Sequence, residues 1–465
     1  MTGDLQRSYQ HARAQAAAAP TNPTHQFNLG WWASRVGDSD TALAAYQRAL
    51  ELNIKDAEEV WLNISSIYSE HLGLPKQALD ALDSALAIRP DYADALFNRG
   101  HVAEQCGDRA LAIESFSRVL ALVPNHTAAL ARLADTLEPG ADASLIGRLR
   151  AAAAGRDPDP DVLFAQARHE EGSGDIASAW RCWQRANEID AHARRNPLPL
   201  ATLRAACRQA GQALLPPLPE GSRGPVFIVG MFRTGSTLLE QMLAAHPQFA
   251  PLGESDFWPR RVAAARGGMI HPAGIPRAPV PDQWAKAYLD HVARRLGSVA
   301  RFTDKRPDNI YQLHLIANAL PDARFVVTER DWRDVVLSVY GTRLHPQHSY
   351  ATDPREISEQ IVLLIDLAAD WLERFPQRVY RVRYESLVAA PQATLGGLLD
   401  WLGEPWSDDC LRFHELGNSV RTASVWQIRK PLTADRQQRW RRFESPLREI
   451  FGAELDRDLP PGVSL

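Results

Sequence analysis

Arg233, Thr234, Gly235, Ser236 and Thr237 follow closely on the apolar run Val226-Phe227-Ile228-Val229, and residue types in that order are suited to holding an anion. The apolar run reads as a buried strand, and the hydroxyl residues after Gly235 read as the first turn of a helix. Backbone N–H groups of Thr234 to Thr237 would then point into the turn, where the helix dipole also favours negative charge. Arg233 adds a permanent charge in a planar fork, and the Ser236 and Thr237 hydroxyls add donors. A turn that needs Gly for geometry alone is the plainer reading; an arginine and three hydroxyl residues around that glycine favour the anion. A second group follows the run Phe325-Val326-Val327-Thr328: Arg330 at the end of a strand and Ser338 two helical turns later. By itself an Arg-Asp pair at a strand end is a structural ion pair. Beside the first loop it reads as a second phosphate contact on the same ligand.

The spacing Gly230-x-x-x-x-Gly235-Ser236-Thr237 copies an NTPase P-loop except that Ser236 stands where the lysine for the β- and γ-phosphates belongs. The expected ligand is therefore a nucleotide with oxyanion groups other than a triphosphate. No Ser-His-Asp triad is evident. His345 and His348 without a third ligand are a weak metal signal, so no metal site is expected.

The motif Arg233-Thr234-Gly235-Ser236-Thr237 after a strand, with Arg330 and Ser338 after a later strand, resembles the sulfotransferase superfamily. That resemblance implies 3′-phosphoadenosine 5′-phosphosulfate (PAPS) as donor. The first loop would hold its 5′-phosphosulfate, and Arg330 with Ser338 its 3′-phosphate. Within the superfamily the chain looks most like the tyrosylprotein sulfotransferases. Leu243-Ala244-Ala245-His246-Pro247 followed by Gly253-Glu254 is similar to their catalytic glutamate region, and Asp304-Lys305-Arg306-Pro307 to their Lys-x-Pro element. Segments around Tyr384 and from Ser424 to Lys430-Pro431 resemble two further cofactor elements. The resemblance implies Glu254 as the base for an acceptor hydroxyl, with Asp256 as its rival. It implies Lys305 as the group that neutralises the bridging oxygen, and Ser424 as a donor to the transferring group. Tyr384 would pack against adenine or cap a phosphate. The plainer alternatives are a polar turn at Gly253-Glu254-Ser255-Asp256, a surface lysine at Lys305 and a core tyrosine at Tyr384. Lysine is scarce, five of 52 basic residues, yet Lys305 and Lys430 both fall in motif-like segments. Two departures stand out. The gap from His246-Pro247 to Gly253-Glu254 is one residue longer than the family's, and Thr342, next to Arg343, stands where a second phosphate arginine is expected.

The elements that must position these residues follow from pattern. From Val226 onward, short apolar runs alternate with helical stretches, which predicts an α/β domain with a parallel sheet over 226–465. Strands are expected at Val226–Val229, Arg324–Thr328 and Arg378–Arg383. Helices are expected at Thr237–Ala245, Pro281–Leu296, Trp332–Tyr340 and Glu356–Phe375. Ligands of such sheets lie at the carboxyl ends of the strands, where both loops fall.

Residues 25–210 carry a repeat in which a glycine is followed by a small, a bulky and another small or β-branched residue in fixed register. The copies are Gly37-Ala42-Tyr46-Ala49, Gly73-Ala78-Leu82-Ala85, Gly107-Ala112-Phe116-Val119 and Gly174-Ala179-Trp183-Ala186. A period near 34 is the tetratricopeptide (TPR) signature, so a helical solenoid is expected that binds a peptide, a protein partner or another subunit. Residues 1–24 read as a loose lead-in, and the Pro/Gly-rich stretch 211–225 as a linker. The fold class is thus an α solenoid followed by a P-loop-like α/β domain.

At 465 residues and net charge −4, the chain is too long for one ordinary core and has no overall charge that would call for nucleic acid. No apolar run reaches membrane-spanning length, and no secretion signal is read at Met1 to His25. Cys106, Cys182, Cys207 and Cys410 are scattered, so reduced thiols and a cytoplasmic location are expected; the Ala- and Arg-rich composition resembles that of a GC-rich bacterial genome. The leading expectation is a PAPS-dependent sulfotransferase acting on a peptide, carbohydrate or phenol hydroxyl, with the TPR array recruiting the acceptor. The alternatives are a nucleotide kinase-like P-loop enzyme, or a TPR adaptor whose nucleotide-binding domain is inactive.

Overall fold

The computed structural model describes residues 2–193, 205, 215–265, 282–299, 301–420, 422, 425–433 and 437–460. The chain forms two compact units: Met1–Leu137 with Gly417–Val420, and Glu138–Leu416 with Arg421–Leu465. Among the described residues no helix is long and apolar enough to cross a membrane.

The first unit is a stack of helical hairpins: α1 (Thr2–Ala18), α2 (Pro23–Arg35), α3 (Ser39–Glu51), α4 (Ala57–Ser66), α5 (Pro75–Ile88), α6 (Ala93–Cys106), α7 (Arg109–Leu122) and α8 (Thr127–Thr136). The register residues Ala42, Tyr46, Ala49, Ala78, Leu82, Ala85, Ala112, Phe116 and Val119 are all buried. Their spacing is explained by close helix approach. A Cβ at Gly30 would meet the Tyr46 ring at 2.7 Å, and one at Gly100 would meet the Phe116 ring at 2.6 Å. In these two hairpins the bulky residue therefore occupies the space that a side chain on the preceding helix would need. Gly107 ends α6 in the left-handed region at φ 79°. The first repeat interval is two residues longer than the second, and there α4 runs on into a π-helical turn, Ile67–Leu72. The stretch expected as a loose lead-in is helix α1. Alanine-rich sequence favours helix, and Tyr9, Ala12 and Ala16 are buried, with the Tyr9 hydroxyl donating to Asp38 at 2.8 Å.

The second unit begins with three more helices, α9 (Ala143–Ala153), α10 (Pro160–Ser173) and α11 (Ile176–Ala193). The α/β domain follows with β1 (Val226–Gly230), α12 (Ser236–Ala244), β2 (Ala250–Pro251), α13 (Phe257–Ala265), α14 (Asp282–Leu296), β3 (Phe302–Lys305), α15 (Leu313–Ala319) and β4 (Arg324–Glu329). It continues with α16 (Trp332–Tyr340), α17 (Pro354–Arg374), β5 (Val379–Arg383), α18 (Tyr384–Ala389), α19 (Pro391–Leu402) and α20 (Glu444–Phe451). All strand pairs are parallel, in the order β2-β3-β1-β4-β5. β1 lies at the centre and is buried at every residue, as expected for a strand covered on both faces. Gly230 pairs with Thr328 and Ile228 with Lys305, so the loops leaving β1, β3 and β4 emerge at one edge of the sheet.

The three expected strands are present to within a residue at each end; β2 and β3 were not foreseen. β2 has only two residues, and β3 reads Phe-Thr-Asp-Lys, without apolar alternation. Its polar residues Thr303, Asp304 and Lys305 are nonetheless buried, so Lys305 ends a core strand and is not a surface lysine. Of the 211–225 linker, residues 211–214 lie outside the described residues, and the remainder is pinned: the Pro216 carbonyl accepts from Arg378, and Arg223 pairs with Glu404.

α10 and α11 share the core of the second unit. Trp183 stacks on Phe443 with ring centroids 4.8 Å apart, Trp180 lies 5.1 Å from Tyr340, and Asn187 Nδ2 donates to the Tyr340 carbonyl at 2.9 Å. Trp183→Ala should therefore destabilise this unit by about 3–5 kcal/mol, read as a lowered denaturant midpoint.

Candidate active site

The first loop is built from strand ends. The Thr234 hydroxyl donates to the Met231 carbonyl and lies 2.7 Å from the Thr328 hydroxyl on β4, closing the turn over the neighbouring strand. Gly235, at φ 93°, caps α12 and has no side chain to satisfy the helix's first N–H groups. These N–H groups have no acceptor within the helix, and Ser236 and Thr237 beside them are buried. The result is a positive, donor-rich turn of the kind that takes an anion. Arg233 adopts φ 69°, a left-handed conformation costing about 1–2 kcal/mol for a residue with a Cβ. Such strain at a loop joining strand to helix points to a functional constraint on that side chain.

The second loop meets the first. Arg233 Nε donates to the Ser338 hydroxyl at 3.0 Å, and Arg330 Nη1 donates to the Arg233 carbonyl at 3.4 Å. The Arg330 guanidinium also lies 4.5 Å from the centroid of the Tyr384 ring, whose Cδ2 would be 2.6 Å from a Cβ at Gly235. Tyr384 thus packs between the two loops at the start of α18. Arg233, Thr234, Gly235, Arg330, Ser338 and Tyr384 are brought into one place, with Ser236 and Thr237 on the adjoining helical turn.

Acidic residues hold the second loop. The Asp331 carboxylate caps α16, accepting the Arg333 N–H at 2.9 Å, and Glu385 accepts the Asp331 N–H at 2.8 Å. Asp334 pairs with Arg330 Nη2 at 3.3 Å and accepts the backbone N–H groups of Gln438 and Trp440 at 2.8 and 2.9 Å. Burial raises the Asp334 carboxyl, opposed by Arg330 and those N–H donors. The Thr342 hydroxyl donates to the Ser338 carbonyl at 2.8 Å, while Arg343 turns to Asp190, Asp161 and Asp159.

A third group stands one strand away from β1, about 4.8 Å across the sheet. Lys305 Nζ donates to Glu254, and the Lys305 N–H donates to the Gly253 carbonyl at 3.0 Å. The lysine side chain is 1% exposed and the glutamate 33%, so the carboxylate presents its outer face to solvent while its inner face holds a buried cation. Asp256 pairs with Arg260 four residues on and is more exposed. Asp304 points to the other face of β3, where the Tyr288 hydroxyl donates to it at 2.6 Å. Burial pushes the Asp304 carboxyl up to about 7.

Two residues of the expected set are placed elsewhere or not described. Lys430 forms an exposed ion pair with Glu138 at 2.9 Å, and Ser424 lies outside the described residues. Asp334, Asp331 and Glu385 were missed as supports. The Asp331 cap was legible from an acidic residue just before a helix, and the Arg330–Asp334 pair from its i,i+4 spacing.

Two outcomes test this geometry. Gly235→Ala must strain the backbone and displace Tyr384, so it should abolish measurable nucleotide binding in calorimetry. Asp304 binds protons in the folded state at pH values where the unfolded carboxyl has lost them, so its contribution to stability falls as pH rises from about 4 to about 7. Asp304→Asn should flatten that decline in denaturant midpoints measured across pH.

The comparisons agree with these two parts. Residues 225–408 match the model of the Sulfotransferase family, and residues 93–126, which span α6 and α7, match a Tetratricopeptide repeat model. An uncharacterized protein of Aquifex aeolicus (strain VF5) is 29% identical over 248 residues, covering 50% of this chain and 32% of its own length. The protein-tyrosine sulfotransferase 1 of Danio rerio is 28% identical over 264 residues, covering 53% of this chain and 74% of that protein. This chain thus spans about a third of the Aquifex protein and about three quarters of the zebrafish one. The sulfotransferase domain of the Synechococcus PCC 7002 olefin synthase overlaps 48% of this chain and 90% of its own at 20% identity, with a TM-score of 0.37, too low to bear on the argument.

Proposed function

Starting from a sulfotransferase-family domain joined to a tetratricopeptide repeat, we propose that the protein transfers a sulfuryl group from PAPS to an acceptor hydroxyl, a peptide tyrosine being the acceptor its relatives suggest. The observation that carries the reading is the junction of the two anion loops through Arg233, Ser338 and Arg330, beside the buried Lys305–Glu254 pair. A nucleotide bearing negative groups on both sides of its ribose matches two such loops; a triphosphate would leave the second without a role. The uncapped N-terminus of α12 fits the donor chemistry. PAPS supplies an activated sulfuryl group on a phosphate oxygen.

In this reading the first loop, with Arg233, Ser236 and Thr237, holds the 5′ end of the donor, and Arg330 and Ser338 hold its 3′-phosphate. Glu254 takes the proton of the acceptor hydroxyl as that oxygen attacks sulfur. Lys305, largely removed from water, neutralises the charge that develops on the departing bridging oxygen, where a fixed charge acts most strongly. The products are the sulfated acceptor and adenosine 3′,5′-bisphosphate. Positioning and charge account for the catalysis, as in phosphoryl transfer. Glu254 is preferred over Asp256 because only its carboxylate abuts the lysine; Asp256 pairs with Arg260 on the surface. The helical repeats would present the acceptor or a partner protein.

Thermal shift should show selective stabilisation by adenosine 3′,5′-bisphosphate over ADP and ATP. Arg330→Ala should erase that selectivity, weakening bisphosphate binding about 10- to 100-fold. Glu254→Gln should bind the bisphosphate normally and lose about 10²–10⁴ of the transfer rate. Equal stabilisation by ATP would favour the kinase-like alternative.

A further inference from the structure

One buried carboxylate beside this pair has no part in the chemistry above. Glu240, on α12, is 2% exposed, and its Oε1 accepts the Gly253 N–H at 3.1 Å and the Thr303 hydroxyl at 3.3 Å. The Gly253 carbonyl in turn accepts the Lys305 N–H. Both polar backbone groups of Gly253, which directly precedes Glu254, are thus tied, one to α12 and one to β3. Side chains alternate along β3, so Thr303 and Lys305 share the face that meets Glu240 and Glu254, while Asp304 faces Tyr288. The helix that opens with the anion loop therefore also anchors, about one turn later, the segment bearing the proposed base.

We infer that Glu240 is a positioning residue for the transfer: it fixes the Gly253–Glu254 turn against β3, so that the Glu254 carboxylate stays on the Lys305 ammonium. The inference rests on the sulfuryl-transfer reading for its effect on rate, but the tether itself does not. An unpaired Gly253 N–H and a loosened turn would let Glu254 move by a fraction of an ångström or more, and misplacement of about 1 Å can cost 10²-fold in rate. A carboxyl oxygen can accept both bonds whether or not the group carries a proton. Burial pushes Glu240 up to about 7, aided by Glu254 and Asp304 and opposed by Lys305 and the Gly253 N–H, and Arg295 on α14 also faces it. Glutamine keeps the same acceptor oxygen and reproduces the protonated form.

Three readouts test this on the full chain: steady-state transfer, calorimetry with adenosine 3′,5′-bisphosphate, and hydrogen exchange in the peptide spanning residues 252–256. Glu240→Ala should lower kcat about 10- to 100-fold, leave bisphosphate Kd within about twofold, and speed exchange at 252–256. Glu240→Gln should recover most of the lost rate and protection. Thr303→Val, which removes one of the two donors but keeps the shape, should give a smaller loss in the same direction and serves if Glu240→Ala does not fold. Unchanged kcat and exchange in Glu240→Ala would overturn the inference, as would a Glu240→Gln enzyme no better than the alanine variant. Parallel loss of kcat and bisphosphate binding would also overturn it, because the defect would then lie in the donor loop. If the wild type neither binds the bisphosphate nor transfers sulfate, the assignment of activity fails, and the exchange measurement alone decides the tether.

Discussion

Parallel pairing of β1 with β4 is the constraint on which the rest depends. With Gly230 opposite Thr328, the two crossover loops leave the sheet side by side, close enough for the Thr234 and Thr328 hydroxyls to meet at 2.7 Å. A slip of one residue would reverse the faces of β4 and carry Arg330 away from Arg233. Register is held by burial. β1 and the inner residues of β4 lie in the core, so any shift would drive polar groups into it. The register of an apolar sheet thereby sets the spacing of two cationic loops.

The second theme is how charge is kept inside. Lys305, Glu240, Asp304, Arg301 and Glu404 are all nearly inaccessible, and each has a charged or hydrogen-bonding partner. Isolated, each would be costly to bury. Lys305 differs from Arg301 in the exposure of its partner. Glu404 is buried with Arg301, which it joins to Arg223, whereas Glu254 opens to solvent. One network staples the structure, and the other leaves its carboxylate open to solvent.

Legibility in the sequence followed locality. The loop from Gly230 to Thr237, the Arg330–Ser338 pair and the repeat register depend on neighbours a few residues apart, and these were read correctly as elements. β3 was missed because its apolar content is one phenylalanine; its burial comes from tertiary partners such as Tyr288 and Glu240, 16 and 63 positions away in sequence. The lead-in was misread because helix α1 is stabilised by packing through Tyr9 and its alanines, which composition alone presents as low complexity. Lys430 matched a motif by spacing, yet its ammonium is engaged by Glu138, a pairing across 292 positions that no local pattern encodes.

The sharing of aromatic side chains between α11 and the α/β domain bears on whether the two can be separated. A repeat array attached through a plain linker can be exchanged for another without penalty. Here Trp180 and Trp183 serve two masters: they fill the hairpin's own interior and the floor beneath Tyr340 and Phe443. A protein cut at the start of β1 would inherit a bare hydrophobic socket, and a hairpin transplanted from elsewhere would need two tryptophans in the same places to close it. The α10–α11 hairpin is, by its packing, an organ of the domain that follows it.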